Sequence, residues 1–83
     1  MKVLIIEDEI QTASVLRDII LEIRPEARIV DTLESIKKTV EYLSEEKNQP
    51  DIIFMDIQLT DGLSFEIFSQ VQIHCPVFLT IPL

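Results

Sequence analysis

Asp51-Ile52-Ile53-Phe54-Met55-Asp56-Ile57-Gln58-Leu59-Thr60-Asp61-Gly62 is the stretch on which the fold turns. Ile52 to Met55 form an apolar run with neither a helical gap nor an alternation. A short continuous run of that kind, bounded by turn signals, predicts a strand buried on both faces. It closes on a carboxylate, Asp56. The Thr60-Asp61-Gly62 turn then leads into Leu63-Ser64-Phe65-Glu66-Ile67-Phe68, whose apolar periodicity predicts a helix. Open parallel sheets place their chemistry at the carboxyl ends of central strands, just before the strand-to-helix loop. Asp56 occupies such a position. Ending the strand and capping the turn is a competing role of similar weight on this stretch alone.

Toward the N-terminus, Val3-Leu4-Ile5-Ile6 is a second uninterrupted apolar run, and it too ends on acid, Glu7-Asp8-Glu9. Ala13, Leu16, Ile20 and Ile23 then fall at helical spacing with Val15 and Ile19 alongside; Thr12 is an N-cap or first-turn candidate and Pro25 marks the stop. Ile29-Val30, bracketed by Arg28 and Asp31, predicts a short strand. Leu33, Ile36, Val40 and Leu43 form one stripe of an amphipathic helix, with Tyr42 half-buried beside it and Glu34, Lys37, Lys38, Glu41 and Glu45 on its solvated face. Toward the C-terminus, Pro76 to Ile81 predicts a fourth strand. Met55, Phe65 and Phe68 are core candidates, and His74 and Cys75 lie in the loop before Pro76, Cys75 as a small buried apolar residue.

The order β-α-β-α-β-α-β implies right-handed crossovers and a parallel sheet with helices on its faces. The expectation is an α/β, doubly wound parallel sheet of incomplete (βα)3β form, with strand order 2-1-3-4 and strands one and three side by side. That topology brings Glu7 and Asp8 next to Asp56.

With 83 residues, residues 1–83 are expected to make a single domain. A formal net charge of −8 argues against nucleic acid or an anionic membrane as a direct partner and favours a cation or a basic protein surface. The lone Cys75 allows no intrachain disulfide. The start of the chain is too short in apolar residues for a signal-peptide core, and no stretch approaches a membrane span, so a cytoplasmic protein is expected.

Converging carboxylates repel unless a proton or a cation intervenes. An oxygen-only donor set suits a hard cation, and Mg²⁺ commonly takes one or two carboxylates, waters and substrate phosphate. Asp8 and Asp56 are the best direct ligands. Glu7 is long enough to hold a metal-bound water, and the Gln58 main-chain carbonyl is a further ligand candidate. A surface acidic cluster in an acidic protein is the alternative.

Ile5-Ile6-Glu7-Asp8-Glu9, followed by Phe54-Met55-Asp56-Ile57-Gln58-Leu59-Thr60-Asp61-Gly62-Leu63, resembles the receiver domain of two-component response regulators, and within them the receivers that precede LytTR-type DNA-binding domains. The resemblance covers the whole chain and implies a flavodoxin-like fold. It implies that Asp56 is the phosphoryl acceptor in a phosphorelay, that Glu7 and Asp8 are the acid pair around Mg²⁺, and that the Gln58 carbonyl binds the metal. It also implies a sensor histidine kinase or a small acyl phosphate as donor, and a regulatory domain that at most phosphorylates and dephosphorylates itself rather than an enzyme.

The chain departs from that pattern in places. The family carries a Thr or Ser near the end of its fourth strand; counted from Pro76 that position is Ile81, with Thr80 one residue early. The family Lys at the end of the fifth strand would fall past residue 83, as would the last strand and two helices, so a truncated receiver is expected. Thr60 replaces a common Pro. Two rival functions stand beside the receiver: a non-signalling dimerisation or interaction module, and an Mg²⁺-dependent phosphohydrolase. Gln58 disfavours the second, because such sites commonly carry Asp-x-Asp. Strands three and four are apolar on both faces, and three helices cannot cover both, so a homodimer through the strand-four region is expected.

Overall fold

The structure is a computed structural model and describes residues 1–80. In chain order it contains β1 (Lys2–Ile6), α1 (Ile10–Ile23), β2 (Arg28–Leu33), α2 (Ile36–Leu43), β3 (Ile52–Asp56), a hairpin of β4 (Gln58–Leu59) and β5 (Gly62–Leu63), a 3-10 turn at Ser64–Glu66, α3 (Ile67–Gln70) and β6 (Val77–Thr80). The main sheet has order β2-β1-β3-β6 and all its pairings are parallel. This is the expected 2-1-3-4 order, with β6 as the fourth strand.

Two-residue periodicity divides the core. Leu4, Ile6, Ile53 and Met55 pack with Ile36 and Ile67 on one side of the sheet, with Val40 and Leu43 against them. Val3 and Ile5 pack with Ala13 and Ile20 on the other, joined by Leu16, Ile52 and Phe54. α1 therefore covers one face and α2 with α3 the other, as right-handed crossovers require. All four apolar residues of β1 are fully buried. Each such side chain is worth about 1.5–3 kcal/mol as an upper bound.

The segment after β3 differs from the sequence expectation. Instead of one helix opening at Leu63, Gly62-Leu63 folds back on Gln58-Leu59, a 3-10 turn comes next, and α3 keeps only four residues. Gly62 permits this with φ of 140°, a region that side chains rarely adopt. The tighter 3-10 repeat shifts the helical phase. Ile67 becomes the fully buried residue, and Phe65 and Phe68, expected in the core, are each 46% exposed. Leu33 likewise ends β2 rather than starting α2, because it pairs with Ile6. Its spacing to Ile36 arose from a strand end and a helix start that reach the same core. Ile23 is exposed at the last turn of α1, and Cys75 is only partly buried.

Candidate functional site: an acid cleft at the sheet's carboxyl edge

Register places the acids. β1 and β3 pair Ile5 with Phe54 and Ile6 with Met55, so one step further Glu7 meets Asp56. Alternation puts Glu7 on the Val3/Ile5 face and Asp56 on the Ile52/Phe54 face, which are the same side of the sheet. The Glu7 amide donates to the Leu33 carbonyl at 2.9 Å, which extends the β1–β2 ladder to the site. Asp8 lies just past the strand. One carboxylate oxygen from each of Glu7, Asp8 and Asp56 lies within 4.8 Å of the other two.

Glu7 and Asp56 are both 7% exposed. Burial pushes the Glu7 carboxyl up to about 7; the Glu9 amide, which donates to Glu7 Oε2 at 3.2 Å, pulls it back, and the neighbouring acids Asp8 and Asp56 raise it further. Asp56 Oδ1 is buried and accepts no hydrogen bond. A buried acceptor of this kind is costly unless something satisfies it. An oxygen-only set of three clustered carboxylates with an orphaned buried acceptor fits a hard divalent cation.

Glu7, Asp8 and Asp56 share a cleft of about 430 Å³ with Glu9, Thr12, Ile57, Gln58 and Leu59. The structure thus brings all four expected positions together, Gln58 as an exposed wall residue. Thr80 pairs with Asp56 in the β3–β6 register but lines a different cleft, against Glu9, Thr12 and α1. Ile81, the position counted for the hydroxyl residue, lies outside the described residues.

Two features were not anticipated. Behind Glu7 and Asp8 lies a second cleft of about 420 Å³ that includes Arg17, Thr32 and Lys38. Lys38 is engaged there by Glu34. The other is Asp61, expected only as a turn residue. Its Oδ1 accepts from the Ile36 amide at 2.9 Å and its Oδ2 from the Lys37 amide at 3.1 Å. Those bonds, chiefly that from Ile36, hold the Asp61 carboxyl below its usual range. Ser35 was readable as a helix start, being a Ser just before an apolar-periodic run, and its Oγ accepts from the Lys38 amide. Asp61 carries no such local signal, since its partners are 25 and 24 residues away.

No protein-family model matches the chain. It is 39% identical over 67 residues to the sensory transduction protein LytT of Bacillus anthracis, a match covering 81% of this chain. The chain spans about a quarter of the length of the curated relatives it matches, 26% in each case. Among solved structures, a mutant of the MaeR response regulator bound to sulfate superposes with a TM-score of 0.79 at 18% identity, over 95% of this chain and 65% of that one. The response regulator PhyR from Brucella abortus gives 0.77 at 22%, over 94% and 32%. Among the described residues no helix is long and apolar enough to cross a membrane. The strand order and the solved regulators agree on the fold, and the sequence match adds descent: this chain has a flavodoxin-like receiver fold and is homologous to LytT over 67 residues.

Proposed function

We propose that this chain is a phosphoryl-accepting receiver, with Asp56 as acceptor and Glu7, Asp8, Asp56 and the Gln58 carbonyl as the Mg²⁺ site. The observation that carries the reading is the cluster of three carboxylates within 4.8 Å at the sheet's carboxyl edge, with Asp56 Oδ1 unpartnered. Asp8 and Asp56 would ligate directly, and Glu7 would hold a metal-bound water. When bound, the cation neutralises the phosphoryl oxygens and the clustered acids. An Asp56 oxygen attacks phosphorus while the bond from phosphorus to the donor breaks and its electron pair leaves with the donor, a kinase phosphohistidine or a small acyl phosphate. In the cleft Asp56 is flanked by the Glu7–Asp8 end of β1 and by Gln58 and Leu59 of the hairpin. The role is signal transduction in the cytoplasm, regulatory rather than enzymatic.

Exposure to acetyl phosphate or beryllofluoride with Mg²⁺, followed by intact mass and NMR, tests this. A labile adduct in the native chain that is absent in Asp56→Asn is expected. An unmodified native chain, or equal labelling of the variant, would sink the assignment.

A second reading, self-association, has its own observation. Phe54 and Phe78 stack with ring centroids 5.7 Å apart. Together with Ile20, Ile23 and Ile52 they line an apolar groove of about 560 Å³. Phe78 is 53% exposed. The groove's rim carries Arg24 and Glu26, opposite charges 3.9 Å apart. We infer that a second copy is the occupant, in a two-fold pair that buries the exposed ring of Phe78. β6 pairs only with β3 among the described strands and offers its free edge beside the same groove.

A further inference from the structure

The hairpin after β3 is anchored in three ways. Leu59 is buried in the same cluster as Ile36. The Ser64 amide donates to the Ile57 carbonyl at 2.8 Å. The third anchor is Asp61, at the hairpin's turn between Leu59 and Gly62, which are paired across it. Its two oxygens accept from the first two amides of α2, at 2.9 and 3.1 Å.

α2 also has local bonds at its start. Ser35 Oγ accepts from the Lys38 amide at 3.1 Å, and the Ser35 carbonyl accepts from the Thr39 amide at the same distance. The Lys38 and Thr39 amides are therefore served locally, and Asp61 serves the two amides before them from another element. The Lys37 amide it binds is exposed, so water replaces that bond at small cost when the carboxylate is removed. What water cannot replace is the connection. Asp61 is the side chain by which the hairpin tip is held to α2, and the hairpin's first arm, Gln58-Leu59, forms a wall of the acid cleft two residues after Asp56. Gly62 reinforces the fit: a Cβ there would come within 2.6 Å of Glu66 Oε2 and 3.2 Å of Ile36 Cδ1, so the tip sits close against α2.

The geometry points to Asp61 as a positioning residue: by bridging the hairpin tip to the first turn of α2, it fixes the Asp56–Gln58 segment in the arrangement that binds a divalent cation. This inference rests on the cation reading of the acid cleft. Groups that orient metal ligands without touching the metal typically contribute about 10- to 100-fold to affinity.

The test compares Asp61→Ala with Asp61→Asn in the whole chain. Both remove one negative charge, but Asn keeps an acceptor oxygen for the Ile36 amide, so their difference is free of charge effects. Two quantities are read: half-saturation by MgCl₂ from amide shifts at Asp8 and Gln58, and hydrogen exchange of the Ser64 amide without metal. Asp61→Ala should raise the half-saturating Mg²⁺ concentration by about tenfold, and Asp61→Asn by distinctly less. Ser64 exchange should accelerate in the same order, while the Ile5 and Ile53 amides stay as in the native chain. Equal losses in the two variants would overturn the inference in favour of a charge effect. Faster Ser64 exchange with unaltered Mg²⁺ affinity would overturn it in favour of a plain structural cap. A native chain whose shifts ignore Mg²⁺ would sink the cation reading instead, and the exchange order would then decide the tether alone.

Discussion

Glu7 and Asp56 end neighbouring parallel strands on the same face of the sheet, one register step past the Ile6–Met55 pair. Both are buried, and neither has a basic partner among the ion pairs of the described residues. The site is therefore a place where negative charge is held under strain until a proton or a cation relieves it.

The first prediction concerns pH. Glu7 is raised from 4.5 to about 7 in the fold, chiefly by burial. A carboxyl with a raised folded value binds more protons in the native state than in the unfolded one. Its contribution is fully present below the unfolded value and is lost as pH rises through the folded one. Without metal the chain should thus lose about 1–3 kcal/mol between roughly pH 4.5 and 7 from this group. Urea unfolding across that window, for native protein and Glu7→Gln, reads it as a difference. Parallel profiles in the two proteins would refute the assignment to Glu7.

Metal should act in the opposite direction. Mg²⁺ needs deprotonated acids, so stabilisation by MgCl₂ should grow as pH rises. At about a hundred times the dissociation constant it should amount to about 2.7 kcal/mol. Asp8→Asn removes a proposed ligand and one repelling charge. It should weaken Mg²⁺ binding while stabilising the metal-free chain. Thermal melts with and without MgCl₂ check both halves, and a variant that melts lower than the native chain in EDTA would contradict the second.

Asp56→Asn should abolish the labile adduct and leave the fold intact, because Ile52 to Met55 carry the packing of β3. Circular dichroism and intact mass on the same sample separate loss of the acceptor from loss of structure.

Gly62→Ala should destabilise the chain by about 1–3 kcal/mol, since the backbone there has φ of 140° and a Cβ meets Glu66 and Ile36. Chemical denaturation measures it. A cost near zero would mean that the hairpin tip has moved away from α2.

Phe78→Lys should weaken self-association by at least about tenfold, as loss of a central aromatic anchor commonly does. Sedimentation velocity across a concentration series reads this. A native chain that sediments as a monomer at high micromolar concentration would rule out the second copy as occupant of the groove.

The sequence by itself determined the parallel sheet and the acid that ends its two buried strands, while the 2-1-3-4 order came from the usual topology of doubly wound sheets. Val3–Ile6 and Ile52–Met55 are uninterrupted apolar runs, each followed at once by acid. Burial on both faces demands a central position, and parallel strands put both carboxylates at the same edge; that β1 and β3 are neighbours there is what the register shows. Period-two alternation then assigned Ile52 and Phe54 to one face and Ile53 and Met55 to the other, as the two core clusters have them. Tertiary structure decided the path of the chain beyond Asp56. The apolar spacing from Leu63 to Phe68 suits a helix, yet the hairpin, the 3-10 turn and the burial of Ile67 reset its phase and leave Phe65 and Phe68 nearly half exposed. It also decided that Asp61 binds α2. A turn aspartate looks the same in sequence whether its oxygens meet water or the amides of a helix 25 residues away, because only the packing of β3 beside β1 brings those two segments together.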